Sequence, residues 1–359
     1  MHNAIPFDRE NIRNLFSKNF LTVIIISIPS AIIADFFNIP LAWMIGPMIA
    51  VSAAALNGLK ILMPRLALSS ILIILGLHIG NYIDQNLLNQ MVNWIWTTII
   101  MLAYIIISIL IVSKYLQKFS RYKDKTSIFS AAPGALGPLM ILAEYEKSDL
   151  SQVATAHLIR LIIIITVFPF LIVNLSTSET LEIEKFDYMS QNHWDLVILI
   201  LASIIFIFFF DKAKVPAALL SGTLVASGIL QIFDIASYKL PDSSINFCLL
   251  ILGASVGCRF ANKTIKEVAN NSFHGLIATI LLVLLGLIAA FIATFFVDNN
   301  FLTLILSFCP GGIYEVAVIA IAFDLEPDFV AFHHIIRLLF ILFVVPLILR
   351  LIEKTKIKN

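Results

Sequence analysis

The chain has 359 residues, a formal net charge of +1, 60% hydrophobic residues and only 13% charged ones, with a mean hydropathy of +0.96. A soluble domain averages about 45–50% apolar and about 25% charged residues, so a water-soluble globule is excluded. The near-zero net charge points to no class of partner, and the three cysteines, Cys248, Cys258 and Cys309, form no CxxC pair, which argues against a zinc site or a disulfide framework.

In chain order, residues 1–18 form a polar, charged arm. Apolar runs then follow at Phe20–Phe36, Ile71–Ile83, Ile95–Val112, Leu158–Leu175, Leu196–Phe210, Gly275–Val297 and Ala331–Leu349. Most approach or exceed the roughly 17–25 residues that cross a bilayer. The first run follows a charged arm and is followed at once by another span, which favours an uncleaved first span over a signal peptide. The expected fold is an all-α polytopic membrane protein.

The chain is written twice. Ser130-Ala131-Ala132-Pro133-Gly134 returns as Ser307-Phe308-Cys309-Pro310-Gly311, and the same offset of 177 carries His157 to His334, Arg160 to Arg337 and Pro169 to Pro346. Gly76-x-x-x-Gly80 maps onto Gly253-x-x-x-Gly257, while Pro40 and Gly46 map onto Pro216 and Gly222 at 176. The expected organisation is an N-terminal arm (1–18), a first membrane repeat (19–175), an acidic linker (176–193), a second repeat (194–352) and a short tail (353–359).

Each repeat carries five long apolar segments plus one short segment broken by Pro-Gly. If the broken segment is a re-entrant hairpin, the halves are inverted. Twenty of the 24 basic residues then fall on the cytoplasmic side with both termini, and Lys185, Lys239 and the acidic linker fall outside. If it spans, the count drops to 16 inside against 6 outside. The positive-inside rule favours the inverted arrangement.

Pro133, Gly134, Gly137 and Pro138 interrupt the first short segment; Pro310, Gly311 and Gly312 interrupt the second. Proline removes an N–H and glycine frees the backbone. Broken backbone at membrane depth is tolerated only where protein or a water-filled cavity satisfies it. Two half-helices starting after such breaks resemble the transporter arrangement that binds anionic groups near the midplane. The bland alternative is a kink in a packed helix.

Arg160 and Arg337 lie about ten residues into the last span of each half, roughly 15 Å deep. An arginine there costs about 2.5–3.5 kcal/mol or more and requires a partner or a cavity. His157 and His334 precede them by three residues, on the same face. Glu315 follows the second break, where the first half has Pro138. Pro133, Gly134, Arg160, Pro310, Gly311, Gly312 and Arg337 are therefore the candidate substrate-binding residues, and Glu315, His157 and His334 the candidate coupling residues. An internal Arg–Glu pair that only fixes packing is the competing account. The Gly-x-x-x-Gly pairs suit close helix approach. The adjacent His333 and His334 point to different helix faces and do not form a chelate alone, and His78 and His274 read as structural or interfacial.

Pro310-Gly311-Gly312-Ile313-Tyr314-Glu315, followed by Ala331–Arg337 and paired with Leu75-Gly76 and Leu252-Gly253, resembles the membrane AbrB-type family over nearly the whole chain. That family is distinct from the small soluble DNA-binding protein of the same name. It carries provisional labels of ammonia monooxygenase and of regulator of gene expression. The resemblance implies a duplicated bacterial membrane protein in which Pro310, Gly311, Gly312, Glu315, Arg337 and Arg160 match the family pattern. The first half departs from it, with Pro133-Gly134-Ala135-Leu136 and no acidic residue after. The expected activity is secondary transport or export of a small anionic solute, coupled to H⁺ or Na⁺ and without a cofactor. Its partners are the lipid bilayer and a small molecule or ion, not nucleic acid directly; self-association is left open. Indirect control of gene expression is the first alternative. A membrane oxidoreductase is the weaker one, because copper or iron needs convergent ligands and no His-x-x-x-His spacing occurs.

Overall fold

The computed structural model describes residues 9–83, 87–134, 136–175, 193–215, 217–261 and 263–358. Residues 1–8 of the polar arm, nearly all of the acidic linker with Lys185, and Pro216 lie outside the described residues. Every regular element described is an α-helix. In order these are α1 (Arg9–Leu15), α2 (Lys18–Phe36), α3 (Ala42–Leu56), α4 (Arg65–Gly80), α5 (Leu87–Ser120), α6 (Asp124–Ala131), α7 (Leu136–Tyr145), α8 (Leu150–Leu175), α9 (His193–Lys212), α10 (Ala218–Ile232), α11 (Asp242–Cys258), α12 (Ile265–Ala293), α13 (Phe301–Phe308), α14 (Ile313–Ala322) and α15 (Pro327–Lys358).

From α2 to α8 the helices run long, medium, medium, long, short, short, long, and α9 to α15 repeat that order. Both members of the short pair are equal in length, 8 and 10 residues, in the two halves. Six helices among the described residues are long and apolar enough to cross a membrane: α2, α5, α8, α9, α12 and α15. The chain is a multi-pass membrane protein. The other four segments expected to span, α3, α4, α10 and α11, have only 15–17 residues, about 22–26 Å at 1.5 Å per residue. Their ends are set by local chemistry. Leu41 and Ala217 take left-handed conformations just before α3 and α10, Pro64 and Pro241 open α4 and α11, and Gly58, at φ +82°, follows the end of α3.

The chain divides into two compact units, and each draws on both halves of the sequence. The first contains α1–α4, α9–α11 and the helical stretches 166–175 and 317–328. Within it α3 packs on α11 and α4 on α10. The paired Gly-x-x-x-Gly motifs lie at these crossings. Gly76 and Gly80 face Thr223 and Ser227 of α10, and Gly253 and Gly257 face Met44 and Val51 of α3. A Cβ at Gly257 would sit 2.9 Å from the Ser52 amide nitrogen, and one at Gly80 2.9 Å from the Leu224 carbonyl. Only glycine permits such close approach. His78 Nε2 lies 2.8 Å from Ser244 Oγ, and the Asn81 side chain donates to the Tyr238 carbonyl, so His78 has a packing partner here.

The second unit comprises residues 89–165, 264–316 and 329–359. It holds most of α5, all of α6 and α7, the first sixteen residues of α8, α12, α13, the start of α14 and nearly all of α15. Val112, Leu116, Ala278 and Leu282 form part of its core between α5 and α12. Tyr115 Oη lies 3.0 Å from His274 Nδ1. All ten candidate site residues belong to this unit.

Candidate functional site

Each Pro-Gly segment is two short helices separated by unwound backbone. α6 ends at Ala131 and α7 starts at Leu136; α13 ends at Phe308 and α14 starts at Ile313. The last carbonyls of a helix have no partner within it, and in a chain that spans a membrane they cannot be left bare. The histidine–arginine pair on the following long helix supplies the donors. On α8, His157 Nε2–H donates to the Phe129 carbonyl at 3.0 Å, and Arg160 donates through Nη1 to Ala132 O and through Nη2 to Ser130 O, both at 2.6 Å. On α15, His334 Nε2–H donates to Leu306 O at 3.0 Å; Arg337 donates through Nη2 to Gly311 O at 2.6 Å and through Nη1 to Cys309 O. Arg160 and Arg337 are each 2% exposed.

Pro133, Gly134, Pro310 and Gly311 are buried, and Gly312 is half-buried. The two breaks meet. A Cβ at Gly134, where φ is +92°, would lie 3.0 Å from Arg337 Nη2 and 3.2 Å from Gly311 O. Both the φ and the contact require glycine there. Arg337 thus spans the two breaks, holding one by its carbonyls and lying against the other.

The halves differ in the remaining bonds. Arg337 Nη2 also donates to His334 Nδ1 at 3.0 Å. A carbonyl only accepts and a guanidinium only donates, so the partners set the His334 proton on Nε2. Arg160 Nε has no hydrogen-bond partner among the described residues. Glu315 is the third residue of α14 and 2% exposed. Its carboxylate folds back over Gly312, where a Cβ would collide with Oε2. The third helical position is where a glutamate forms one half of a capping box, the other half being absent at Gly312, and the glutamate charge suits the positive end of the helix. The start of α7 has no such group. Gly137 is exposed there and a Cβ on it would meet nothing within 4 Å; Tyr314 occupies the equivalent position in α14.

Three groups went unnoticed in the sequence. Tyr104 of α5 donates to Leu282 O of α12 at 3.2 Å and packs edge-on to Phe308 at the end of α13. Gly286 of α12 lets that helix approach the second break: a Cβ there would lie 3.1 Å from Phe308 O and 3.5 Å from Tyr104 Oη. Thr97 Oγ1 sits 2.8 Å from His333 Nε2, while His333 Nδ1–H donates to Phe329 O. A lone tyrosine in an apolar run and a glycine in a long span were the available signals. Among the described residues no three His, Cys, Asp or Glu side chains are grouped to hold a metal ion.

A family model described as "Transition state regulatory protein AbrB" matches residues 43–353. The chain belongs to this family. Two relatives align over most of their length and most of this chain. "Uncharacterized protein YhjN" of Bacillus subtilis (strain 168) is 23% identical over 93% of both chains. An Escherichia coli (strain K12) protein provisionally named regulator AbrB is 24% identical over 88% of this chain and 91% of its own. No solved structure matches the chain. Both break segments lie inside the matched residues, and so do the two arginines and Glu315.

Proposed function

We propose that this membrane protein is a secondary transporter or exporter of a small anionic solute, coupled to H⁺ or Na⁺. The supporting observation is the convergence of the two Pro-Gly breaks at Gly134 and Gly311 beside a buried arginine. Two buried guanidiniums make the centre of this unit electropositive, and the starts of α7 and α14 add the positive ends of helix dipoles. Such interrupted helices are where transporters bind anionic groups and ions. The terminal nitrogens of Arg160 and Arg337 are engaged with carbonyls, so their role is to shape the breaks and supply the field. The solute would meet the amides at the open start of α7. Glu315 is the group whose charge could change with a coupling proton, with His157 and His334 holding the helix ends.

In this proposal the breaks are re-entrant, the halves are inverted, and both termini face the cytoplasm of a bacterial inner membrane. Reconstituted counterflow with a panel of small carboxylates and phosphate tests the activity. Wild-type protein exchanges at least one anion, Arg337→Ala abolishes exchange, and Glu315→Gln keeps exchange but loses response to a pH gradient. Full exchange in both variants would remove the site assignment.

The printed name of the E. coli relative favours one second reading, indirect control of gene expression by a membrane component. A target gene that still responds in cells carrying a transport-inactive Arg337 variant would favour that role over transport.

A further inference from the structure

The unwound ends of α6 and α13 each present two carbonyls, Ser130 O with Ala132 O and Cys309 O with Gly311 O. They lie at the negative end of a helix dipole. Unwound carbonyls and half-helix C-termini are the oxygen donors that coordinate Na⁺ in transporters with broken helices, and hard cations take oxygen ligands generally. In this protein each carbonyl pair already holds a cation. Arg160 closes on the first pair at 2.6 Å and 2.6 Å, and Arg337 closes on the second, with Nη2 at 2.6 Å from Gly311 O. Both guanidiniums are buried, and a guanidinium is a permanent cation at physiological pH. One acceptor stands at the equivalent position in both halves, Ala132 O and Cys309 O, while the second differs: Ser130 O, two residues before it, in the first half and Gly311 O, two residues after it, in the second.

We propose that the two breaks are cation cradles whose ion is tethered to the chain, so that neither takes up Na⁺. The cradles rest on geometry alone. Their consequence, that coupling does not use Na⁺ at the breaks and falls to a proton on Glu315, rests on the transporter reading. An ordinary helix cap and a tethered cation make the same bonds. They differ in what replaces the arginine: a cradle accepts a free cation of suitable shape, whereas a cap needs a group delivered on a side chain.

The test uses the full-length protein in detergent, read by thermal unfolding. Wild type is expected to melt at the same temperature in sodium chloride and in choline chloride. Arg160→Ala and Arg337→Ala are expected to melt lower in choline chloride and to recover at least half the loss with millimolar guanidinium, and part of it with Na⁺. Arg160→Lys and Arg337→Lys keep a tethered cation and are expected to remain indifferent to Na⁺, which keeps the proposal open to refutation if the alanine variants do not fold. Stabilisation of wild type by Na⁺ over choline that disappears in the arginine variants would overturn it. So would alanine variants that no cation restores, or lysine variants that acquire a Na⁺ requirement. Reconstituted exchange in Na⁺-free buffer separates the two layers. A strict Na⁺ requirement there overturns the coupling consequence. Absence of any exchange removes the transporter reading, while guanidinium rescue still establishes the cradles.

Discussion

The two breaks share the histidine bond and one arginine bond, differ in the second carbonyl each arginine holds, and differ again in what stands at the start of the next helix. In both, a histidine and an arginine three residues apart satisfy carbonyls about 28 residues upstream. After the first break, Gly134 is left-handed and α7 opens with Gly137 facing open space. After the second, neither Gly311 nor Gly312 is left-handed, and α14 opens with Tyr314 filling the equivalent position and Glu315 folded onto Gly312. Repetition has preserved the half of the device that satisfies backbone, where any departure is penalised in an apolar medium. It has released the half at the start of the next helix. A carboxylate lies over the start of the helix after one break, and the corresponding place after the other is open.

The largest test of this contrast is removal of the arginines. Arg337→Ala leaves Cys309 O, Gly311 O and His334 Nδ1 without a donor and is expected to cost about 3–5 kcal/mol of stability, since each buried polar group left unsatisfied costs about 1–3 kcal/mol. Arg160→Ala loses one bond fewer and should cost about 1 kcal/mol less. Denaturant unfolding in mild detergent measures both, and a larger loss for Arg160→Ala would reverse the ranking of the two breaks.

Next come the glycines. Gly134→Ala is expected to cost about 1–3 kcal/mol, because φ is left-handed and the new Cβ meets Arg337. Gly137→Ala, in a helix and against nothing, should gain about 0.4–1 kcal/mol. If both changes cost equally, α7 does not open into free space. Gly137→Tyr copies the second half into the first; it should fold normally and abolish the proposed exchange.

A smaller effect is expected from Glu315→Gln, which keeps the shape but removes a charge from a helix start, about 0.5–1 kcal/mol. The smallest comes from Lys125→Ala. Its 2.5 Å ion pair with Glu146 joins α6 to the end of α7, where the second half has Leu302 and Phe323. The pair is about one-third exposed, so its loss should stay below about 1 kcal/mol. A loss above that would mean the first broken segment depends on its ends more than the second does.

The all-helical membrane fold, the positions of both breaks and the recurring histidine–arginine pair were legible in the sequence, because hydropathy, Pro-Gly and a constant offset are properties of residue type. What Arg160 and Arg337 hold was not. Their acceptors are main-chain carbonyls, which every residue carries, so no side-chain pattern marks Ser130, Ala132, Cys309 or Gly311 as partners. Tyr104 and Gly286 escaped for a related reason: their positions in the other half are Leu281 and Ile109, and repetition cannot flag a residue used once. The shortness of α3, α4, α10 and α11 follows from left-handed and proline boundaries that hydropathy runs smooth over. The division into units that mix both halves was equally hidden, since it depends on which helices cross, as at Gly76 on Thr223 and Gly253 on Met44.

The distance along the chain between each helix end and its donor sets an order of assembly. When α6 leaves the ribosome, the groups that will satisfy Phe129, Ser130 and Ala132 are still 28–30 residues behind it in the chain. At about 5–20 residues per second, those carbonyls wait roughly one to six seconds for α8. The wait recurs for α13 and α15. During each interval these carbonyls need water or the insertion machinery as partners, and arrival of the last helix of each half supplies their donors.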